Sequence, residues 1–364
     1  MTAVIAAELT ESDAKARDDL TGRICGAFIG MLDLASVYLG DKLGLYRALA
    51  DGGPATSLQL AKRAHISERY AREWLEQQAV TGLLSVNDAS AEPDARVFTL
   101  PRGHAVTLLD RDSTASATPM ALFLAPVGQM LPRLVEAYRS GEGISWSEYG
   151  EDTWQGQGDF NRPYFRSGLA AELAKVGDLH ASLGAGGRVA DLACGVGWSS
   201  IAIARAYPNV TVDGYDLDAA AIAQASRYAN AEGVDDRVHF SVSDAATAKG
   251  TYELVTIFEA LHDMSAPVDV LRTARMMLAS GGSVLVADEN VTDTYTAPGN
   301  DIERILYGAS LTFCLPNGLA DRPSAATGAV IRPATIRRYA VAAGFTKVEE
   351  LPLELGLLRF YRLR

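Results

Sequence analysis

The feature that most constrains this 364-residue chain is a change of rhythm near Ala185. From there, short apolar runs alternate with helical stretches. Val189–Leu192 precedes Ser199–Ala206, and Val210–Tyr215 precedes Ala219–Asn230. Val238–Val242 follows, then Leu254–Phe258 with Pro267–Ala279, then a Gly281-Gly282 turn into Ser283–Ala287. This alternation predicts a parallel sheet covered by helices on both faces. The end of the chain differs. A helix over Ala334–Ala343 leads to Lys347–Leu351 and Leu358–Arg362, too close together for a crossover, so they pair antiparallel. The fold class is α/β: a mostly parallel, Rossmann-like sheet closed by an antiparallel hairpin.

The N-terminal part is mainly helical. Residues up to about Asp19 read as a polar leader, and Arg23–Ala50 as one or two helices ending at Asp51-Gly52-Gly53-Pro54. Ser57 opens a short helix to Ala64, and Ser67 caps another over Glu68–Val80. Leu83–Val86 and Arg96–Leu100 form a β-like pair, so three helices and a hairpin outline a winged helix. In the middle, Leu131–Tyr138 and Asn161–Leu179 read as helices. Between them Gly141–Phe160, rich in Gly, aromatics and acids, suits a lid or binding loop. The expected domains are 1–110, winged-helix-like; 111–180, a helical linker or lid; and 181–364, the ligand-binding sheet domain.

The first strand of that sheet runs into Asp191-Leu-Ala193-Cys-Gly195-Val-Gly197. Small residues at a strand-to-helix turn let backbone approach a ligand and aim a helix N-terminus at it. The spacing departs from the phosphate-binding GxGxxG, and an acid at the start would repel a diphosphate. Asp191 suits a ligand bearing a positive charge or an amino group. Asp216 ends the second strand, 25 residues later, where an acid accepts both hydroxyls of a ribose. Asp244, in Ser243-Asp244-Ala245 after the third strand, is placed to meet the exocyclic amine of an adenine. Three acids at successive strand C-termini mark the edge where such sheets bind ligands.

Together with Phe258-Glu-Ala-Leu-His-Asp263 after the fourth strand, these pieces resemble the class I S-adenosylmethionine-dependent methyltransferases. Ile331-Arg-Pro, Ala343-Gly-Phe345 and Arg359-Phe-Tyr361 resemble that family's closing helix and hairpin. Ser67-Glu-Arg-Tyr-Ala-Arg-Glu-Trp-Leu followed by Gly82-Leu83 is similar to the dimerisation domain of its small-molecule O-methyltransferases. The resemblance implies S-adenosylmethionine as cofactor, methyl transfer to a small-molecule acceptor in secondary metabolism, and a homodimer. It implies cofactor-binding roles for Asp191, Ala193, Gly195, Gly197, Asp216, Leu217, Ser243, Asp244, Ala245 and Glu259. Ala193 stands where the family has its first glycine, and its methyl crowds the cofactor wall. The resemblance also implies a catalytic pair, His262 as general base and Asp288, ending the fifth strand, as the acid that orients it. A phenol or enol is a poor nucleophile at neutral pH, and a neutral imidazole within reach takes its proton. Acceptor hydroxyl, carbon and nitrogen all remain open at this point.

Composition excludes several other readings. Apolar residues are 48% and charged residues 21%, a balance that packs a core rather than a disordered chain. The net charge of −12 disfavours general nucleic-acid or anionic-membrane binding. A winged helix also suggests a ligand-sensing transcription regulator. Yet residues 1–110 hold 11 Lys/Arg against 15 Asp/Glu, and Ser67–Glu76, where a recognition helix would lie, carries three acids and two arginines. The apolar run Ile24–Leu49 fits a dimer interface better. A methyltransferase-like protein that keeps the cofactor for another reaction is a third possibility, hinted at by Ala193. Cys25, Cys194 and Cys314 are odd in number and far apart, which fits a reducing cytoplasm and no disulfide framework. No Cys/His spacing reads as a metal site. The first residues, Met1–Glu8, lack the basic lead of a signal peptide. The longest uncharged run, Ser113–Pro132, holds three prolines and many small polar residues, so it is no membrane span. Among the aromatics, Trp146, Tyr149, Trp154, Phe160, Tyr164 and Phe165 are candidates to enclose the ligands, and Met264, Tyr307 and Phe313 to line the acceptor pocket.

Overall fold

The computed structural model describes residues 9–364. The reading of Met1–Glu8 falls outside them. Two compact units emerge, one of residues up to 110 plus 115–124, the other of 111–114 plus 125–364.

The first unit opens with α1, Glu11–Lys42. The expected polar leader is therefore helical from Glu11 onward. Thr10 and Asp13 form a capping box, and Glu11 and Asp13 sit in the first turn, where carboxylates meet the positive end of the helix dipole. The acids that look like a leader are a helix start. Then come α2 (Leu45–Gly52), α3 (Ser57–Ala64), α4 (Glu68–Val80) and the antiparallel pair β1 (Ser85–Val86) and β2 (Phe98–Thr99), followed by α5 (Arg102–Leu109) and α6 (Thr118–Leu122). Thr56, not Ser57, caps α3; Ser57 instead donates to Glu68 at 2.6 Å. Ser67 precedes α4, but its side chain makes no capping bond. Tyr46, Leu60, Leu75 and Phe98 centre a small core.

Trp74 Nε1 donates to the Ser36 carbonyl at 2.9 Å, and Gln78 links Ser36 Oγ (2.9 Å) with the Tyr46 hydroxyl (2.5 Å). These bonds hold the C-terminal half of α1 to the core. The remainder of α1 is bare: Leu20, Ile24, Phe28, Ile29 and Leu32 are all about half exposed or more. By length and composition alone, α1 is apolar enough to cross a membrane.

In the second unit α7 (Leu124–Ser140) leads to a 3-10 turn at Trp146–Tyr149, α8 (Glu151–Tyr164), a π turn at Phe165–Leu169, α9 (Ala170–Ala174) and α10 (Gly177–Ala185). Two expectations fail here. The stretch Glu151–Phe160 is helical, not loop, with Glu151 and Asp152 in its first turn. The helix expected over Asn161–Leu179 is instead the end of α8, a π turn that begins two residues after Pro163, and α9, and it is interrupted at Lys175-Val176 before α10.

The sheet then runs β3 (Gly187–Leu192), α11 (Trp198–Ala206), β4 (Val210–Asp216), α12 (Ala219–Ala231), β5 (Val238–Val242), β6 (Tyr252–Phe258), α13 (Pro267–Met276) and β7 (Leu278–Glu289). Beyond it lie α14 (Asp301–Ala309), a π turn at Ser310–Cys314, α15 (Leu315–Gly318), α16 (Pro333–Ala342), β8 (Val348–Leu355) and β9 (Leu358–Leu363). Strand order is β5-β4-β3-β6-β7-β9-β8. Only β9, which pairs with β7 and β8, runs antiparallel to its neighbours. The helix expected to Ala279 stops at Met276, because β7 already begins at Leu278 and passes through Gly281-Gly282 in a bulge against β6. Order reverses between β3 and β6, and at that switch point open sheets bind ligands. The architecture is a Rossmann-like α/β domain preceded by a mainly α winged-helix unit.

At Gly40, a Cβ would stand 2.5 Å from Tyr46 and 2.7 Å from Trp74. Gly40→Val is expected to destabilise the first unit by about 1–3 kcal/mol through overpacking. Urea unfolding followed by tryptophan fluorescence reads this, and an unchanged midpoint would contradict the packing.

Candidate functional site

The strand-to-helix turn after β3 is built around Asp191. Its Oδ2 accepts the hydroxyls of Ser199 and Ser200, each at 2.6 Å, and its Oδ1 accepts Thr256 Oγ1 at 2.7 Å. The residue is 1% exposed, and burial raises its pKa while the three hydroxyls pull it down. Asp191 thus ties β3 to the first turn of α11 and to β6. Its carboxylate faces inward on those hydroxyls, whereas the sequence suggested that it meets a ligand.

The backbone beyond it takes left-handed angles at Ala193 (φ 58°), Gly195 (53°) and Gly197 (81°). Ala193 adopts the angle expected only of glycine, at a cost of about 1–2 kcal/mol. A Cβ on Gly197 would meet Phe240 at 2.4 Å, so glycine is required there by packing. Above Gly195 no atom lies within 4 Å of where a Cβ would stand, so the turn opens on free space. Asp216 Oδ2 accepts the Gly195 N–H at 2.8 Å and Oδ1 the Asp218 N–H at 2.9 Å. Burial raises Asp216, and those amides partly offset it. Leu217 beside it is 68% exposed. Asp244 caps a short turn through the Ala246 N–H at 2.8 Å, with Ser243 half-buried and Ala245 buried. The turn, Asp216 and Asp244 line the C-terminal edge of β3, β4 and β5, so these residues fit a nucleoside with a short charged tail.

Helix α8, expected as a loop, lies on this turn. A Cβ on Gly158 would stand 2.2 Å from Val196. Gln157 and Asn161, one turn apart on α8, both donate to Glu259 Oε2, Gln157 at 3.3 Å. Glu259 has φ 51°, and burial raises its carboxyl above the usual range. Arg162 lies 4.5 Å over the Trp198 ring, which stacks on Tyr228 at 4.6 Å.

His262 sits on a 3-10 turn after β6, and its side chain is 4% exposed. Nδ1 lies 2.6 Å from Asp288 Oδ1, and the His262 N–H donates to Asp288 Oδ2 at 3.3 Å. The parallel pairing of β6 with β7 sets this up, bringing Phe258 opposite Ala287. Nε2 faces Asp263 Oδ1 at 3.3 Å. Burial alone would lower the imidazole pKa, but the carboxylates of Asp288 and Asp263 hold it well above its ordinary value.

Two residues that carry no sequence signal as site residues, Glu289 and Cys314, join this group, with Tyr149 from among the expected aromatics. Glu289, 9% exposed, has an Oε2 without a hydrogen-bond partner, and burial followed by repulsion from Glu259 raises its carboxyl. Cys314 arrives from the π turn, and burial pushes its thiol up to about 12. Tyr149 packs against Phe313 (centroids 5.0 Å) and Trp146 (6.5 Å), and donates to the Thr312 carbonyl at 2.6 Å. The Trp146 N–H bonds Asn317 Oδ1 at 2.9 Å, so the segment before α8 is fastened to the 310–318 region. The other expected aromatics divide. Phe165 stacks on Phe258 in the core, Trp154 and Tyr164 pack on its margin, and Tyr307 is 39% exposed on α14.

Comparison with known proteins agrees with this architecture. Residues 183–309 match the family model described as "Methyltransferase domain". Residues 31–111 match the "Rv2258c-like winged HTH domain". The chain therefore carries a methyltransferase domain behind a winged helix-turn-helix domain. Over 178 residues it is 30% identical to a ubiquinone biosynthesis O-methyltransferase of Psychrobacter arcticus, covering 48% of this chain and 65% of that one. It is 31% identical over 126 residues to the 27-O-demethylrifamycin SV methyltransferase of Amycolatopsis mediterranei, covering 34% and 46%. The chain thus spans less than two thirds of the curated relatives it matches. Among solved structures, the mitomycin 7-O-methyltransferase MmcR superposes with a TM-score of 0.69 at 19% identity, over 96% of this chain and 99% of that one. Human N-acetylserotonin methyltransferase in complex with SAM gives 0.67 at 15% identity, over 94% and 97%. At these identities the likeness is one of fold.

Asp191→Ala strands three buried hydroxyls and empties the joint between β3, α11 and β6. It is expected to cost about 3 kcal/mol or more in chemical unfolding. A loss under about 1 kcal/mol would show that Asp191 does not hold the turn.

Proposed function

We propose that this protein is an S-adenosylmethionine-dependent methyltransferase that methylates a hydroxyl group of a small aromatic acceptor in secondary metabolism. The observation that carries the reading is the buried His262–Asp288 pair, 2.6 Å apart, on the same sheet edge as the open glycine turn. The cofactor, when bound, supplies an electrophilic methyl on a sulfonium. The turn Ala193–Gly197 and Asp216 would hold it, with Asp216 exchanging an amide for ribose hydroxyls, and Ser243, Asp244 and Ala245 would face the adenine.

Asp288 fixes the imidazole so that Nε2, the other ring nitrogen, is the one presented to an acceptor. An oxygen at Nε2 gives up its proton as its new bond to carbon forms, and Asp288 stabilises the resulting imidazolium. The carboxylates that raise the pKa of His262 make its neutral form a stronger base. They also reduce the fraction that is neutral at pH 7. Tyr149, Trp146 and Phe313 form a cluster of mutually tilted rings, an apolar wall suited to an aromatic acceptor. Names among the matched proteins, mitomycin and demethylrifamycin O-methyltransferases, support a hydroxyl acceptor of this type.

A second copy of the chain is the proposed partner. The bare apolar face of α1 would bury against its counterpart, and the unpaired cysteines suit a cytoplasmic protein. The regulator alternative loses support in α4. Arg72 is held by Glu68 at 2.9 Å and Arg69 pairs with Glu73, so both arginines are spent within the helix.

Three outcomes are expected. Calorimetric titration should give micromolar S-adenosylmethionine binding that weakens at least tenfold, about 1.4 kcal/mol, in Asp216→Ala. No binding by folded protein would overturn the reading. His262→Ala should lose roughly 10²-fold or more in turnover on phenol and enol acceptors while cofactor affinity stays within about threefold. A loss under about threefold rejects the base, and turnover confined to amine or carbon acceptors rejects the hydroxyl. Phe28→Asp should convert a dimer to a monomer in sedimentation velocity. A wild-type monomer would remove the proposed partner.

A further inference from the structure

We propose that His262, Asp263 and Cys314 form a binding site for a thiophilic divalent metal ion of the zinc class, and that the ion silences the base. The claim of a metal site stands on geometry; its consequence for catalysis rests on His262 being the base.

The three donor atoms, His262 Nε2, an Asp263 carboxylate oxygen and Cys314 Sγ, all lie within 4.8 Å of one another. Nε2 and Asp263 Oδ1 are 3.3 Å apart. Zinc bonds of about 2.0–2.2 Å to nitrogen and oxygen, opened to a tetrahedral angle, separate two ligand atoms by roughly 3.4 Å. The edge of such a polyhedron is therefore already set. Asp263 Oδ1 is buried and faces His262 Nε2 with no hydrogen bond of ordinary geometry between them, so a metal ion would bridge the two.

The surroundings match what metal-bound histidines require. Coordination through Nε2 is usually accompanied by an Nδ1–H bond to a carboxylate, which fixes the tautomer and makes the ring a better donor. Asp288 occupies that place at 2.6 Å and is fully buried. Charge points the same way. Glu259, Asp263, Asp288 and Glu289 crowd one imidazole, and Glu289 also keeps an unpartnered buried oxygen. A dication is attracted to such a set of carboxyls and favours their ionised form.

The donor set selects the metal. Thiolate with imidazole favours zinc or cobalt over magnesium or calcium, which prefer oxygen. Three protein ligands leave a fourth position open, as in catalytic rather than structural zinc sites. Asp263, whose side chain is 20% exposed, gives the ion an edge of entry. On binding, the thiol proton and the proton carried on Nε2 in the imidazolium leave to solvent, and sulfur and nitrogen become ligands. The Nε2 lone pair goes to the metal, so His262 no longer accepts a proton from an acceptor.

The test uses the full chain, stripped with a chelator and titrated with Co²⁺ and Zn²⁺. We expect one equivalent of each, a thiolate-to-cobalt absorption band that Zn²⁺ abolishes, and progressive loss of methyl transfer as zinc loads. Cys314→Ser should remove the band and weaken zinc at least about 100-fold, and Asp288→Asn should weaken it about 10–100-fold. Cys25→Ser is the control and should keep the band. Circular dichroism melts establish that each variant folds, and Asp263→Asn gives a second route to the same loss. Absence of stoichiometric binding, or a band that survives in folded Cys314→Ser, overturns the site. Full activity of the zinc-loaded protein overturns the silencing. S-adenosylmethionine titration of the same samples keeps the two readings apart: cofactor binding without metal binding removes only this inference, and metal binding without cofactor binding removes only the proposed function.

Discussion

The candidate site depends first on the hydrogen bonds of one buried carboxylate. Asp191 holds Ser199, Ser200 and Thr256 at once, and so joins a strand end, a helix start and the neighbouring strand. That joint, with the Gly195 N–H bond to Asp216 and the Cys194 N–H bond to the Tyr215 carbonyl, carries the backbone between Leu192 and Trp198 through three left-handed residues. One of them, Ala193, is strained, and such strain persists only where surrounding contacts over-determine the conformation. The free space above Gly195 is thus a product of buried bonding below it. The acid reads in sequence as a ligand group, and in the structure it is the support of one.

Most of the sheet was legible because burial on both faces writes continuous apolar runs. Val238–Val242, a largely exposed edge strand, agrees residue for residue through its alternation of apolar and polar side chains, and the remaining strands of the sheet differ mainly at their ends. The approach of His262 to Asp288 follows from the same strands, since one comes just after β6 and the other ends β7, its parallel partner. What sequence missed falls into two kinds. Local signals were misleading, as where acids at Glu11 and Glu151 look like solvent-facing loop yet sit in the first turns of helices. Other contacts are non-local: Asn161 reaches Glu259 across 98 positions, and Cys314 meets Asp263 from 51 residues away in sequence, so no spacing rule could pair them.

The two π turns lie where those non-local contacts are made. One follows α8, which carries Gln157, Gly158 and Asn161 onto the glycine turn and Glu259. The other carries Cys314 to the histidine. An extra residue in a helical turn widens it and rotates the side chains beyond it, which is why such turns recur at functional sites. The segment read as a lid or binding loop is fastened to the 312–317 region through Trp146, Tyr149 and Asn317.

Charge links the proposed reaction to the proposed metal. Carboxylates around His262 favour any cation in their midst, and a sulfonium ligand carries one. That attraction acts on the reactant state and is lost once the methyl has left, because the remaining thioether is neutral. By itself it tightens binding without speeding the chemical step. It would also make the spent, neutral ligand bind more weakly than the fresh one, so the acids would discriminate between the two. In the proposed mechanism, acceleration comes from the Nε2 lone pair of the neutral imidazole. A field this negative therefore serves cofactor exchange, and it equally exposes that lone pair to capture by a divalent ion. The buried Glu289 carboxyl, unpartnered beside this centre, sharpens both effects without touching the reacting atoms.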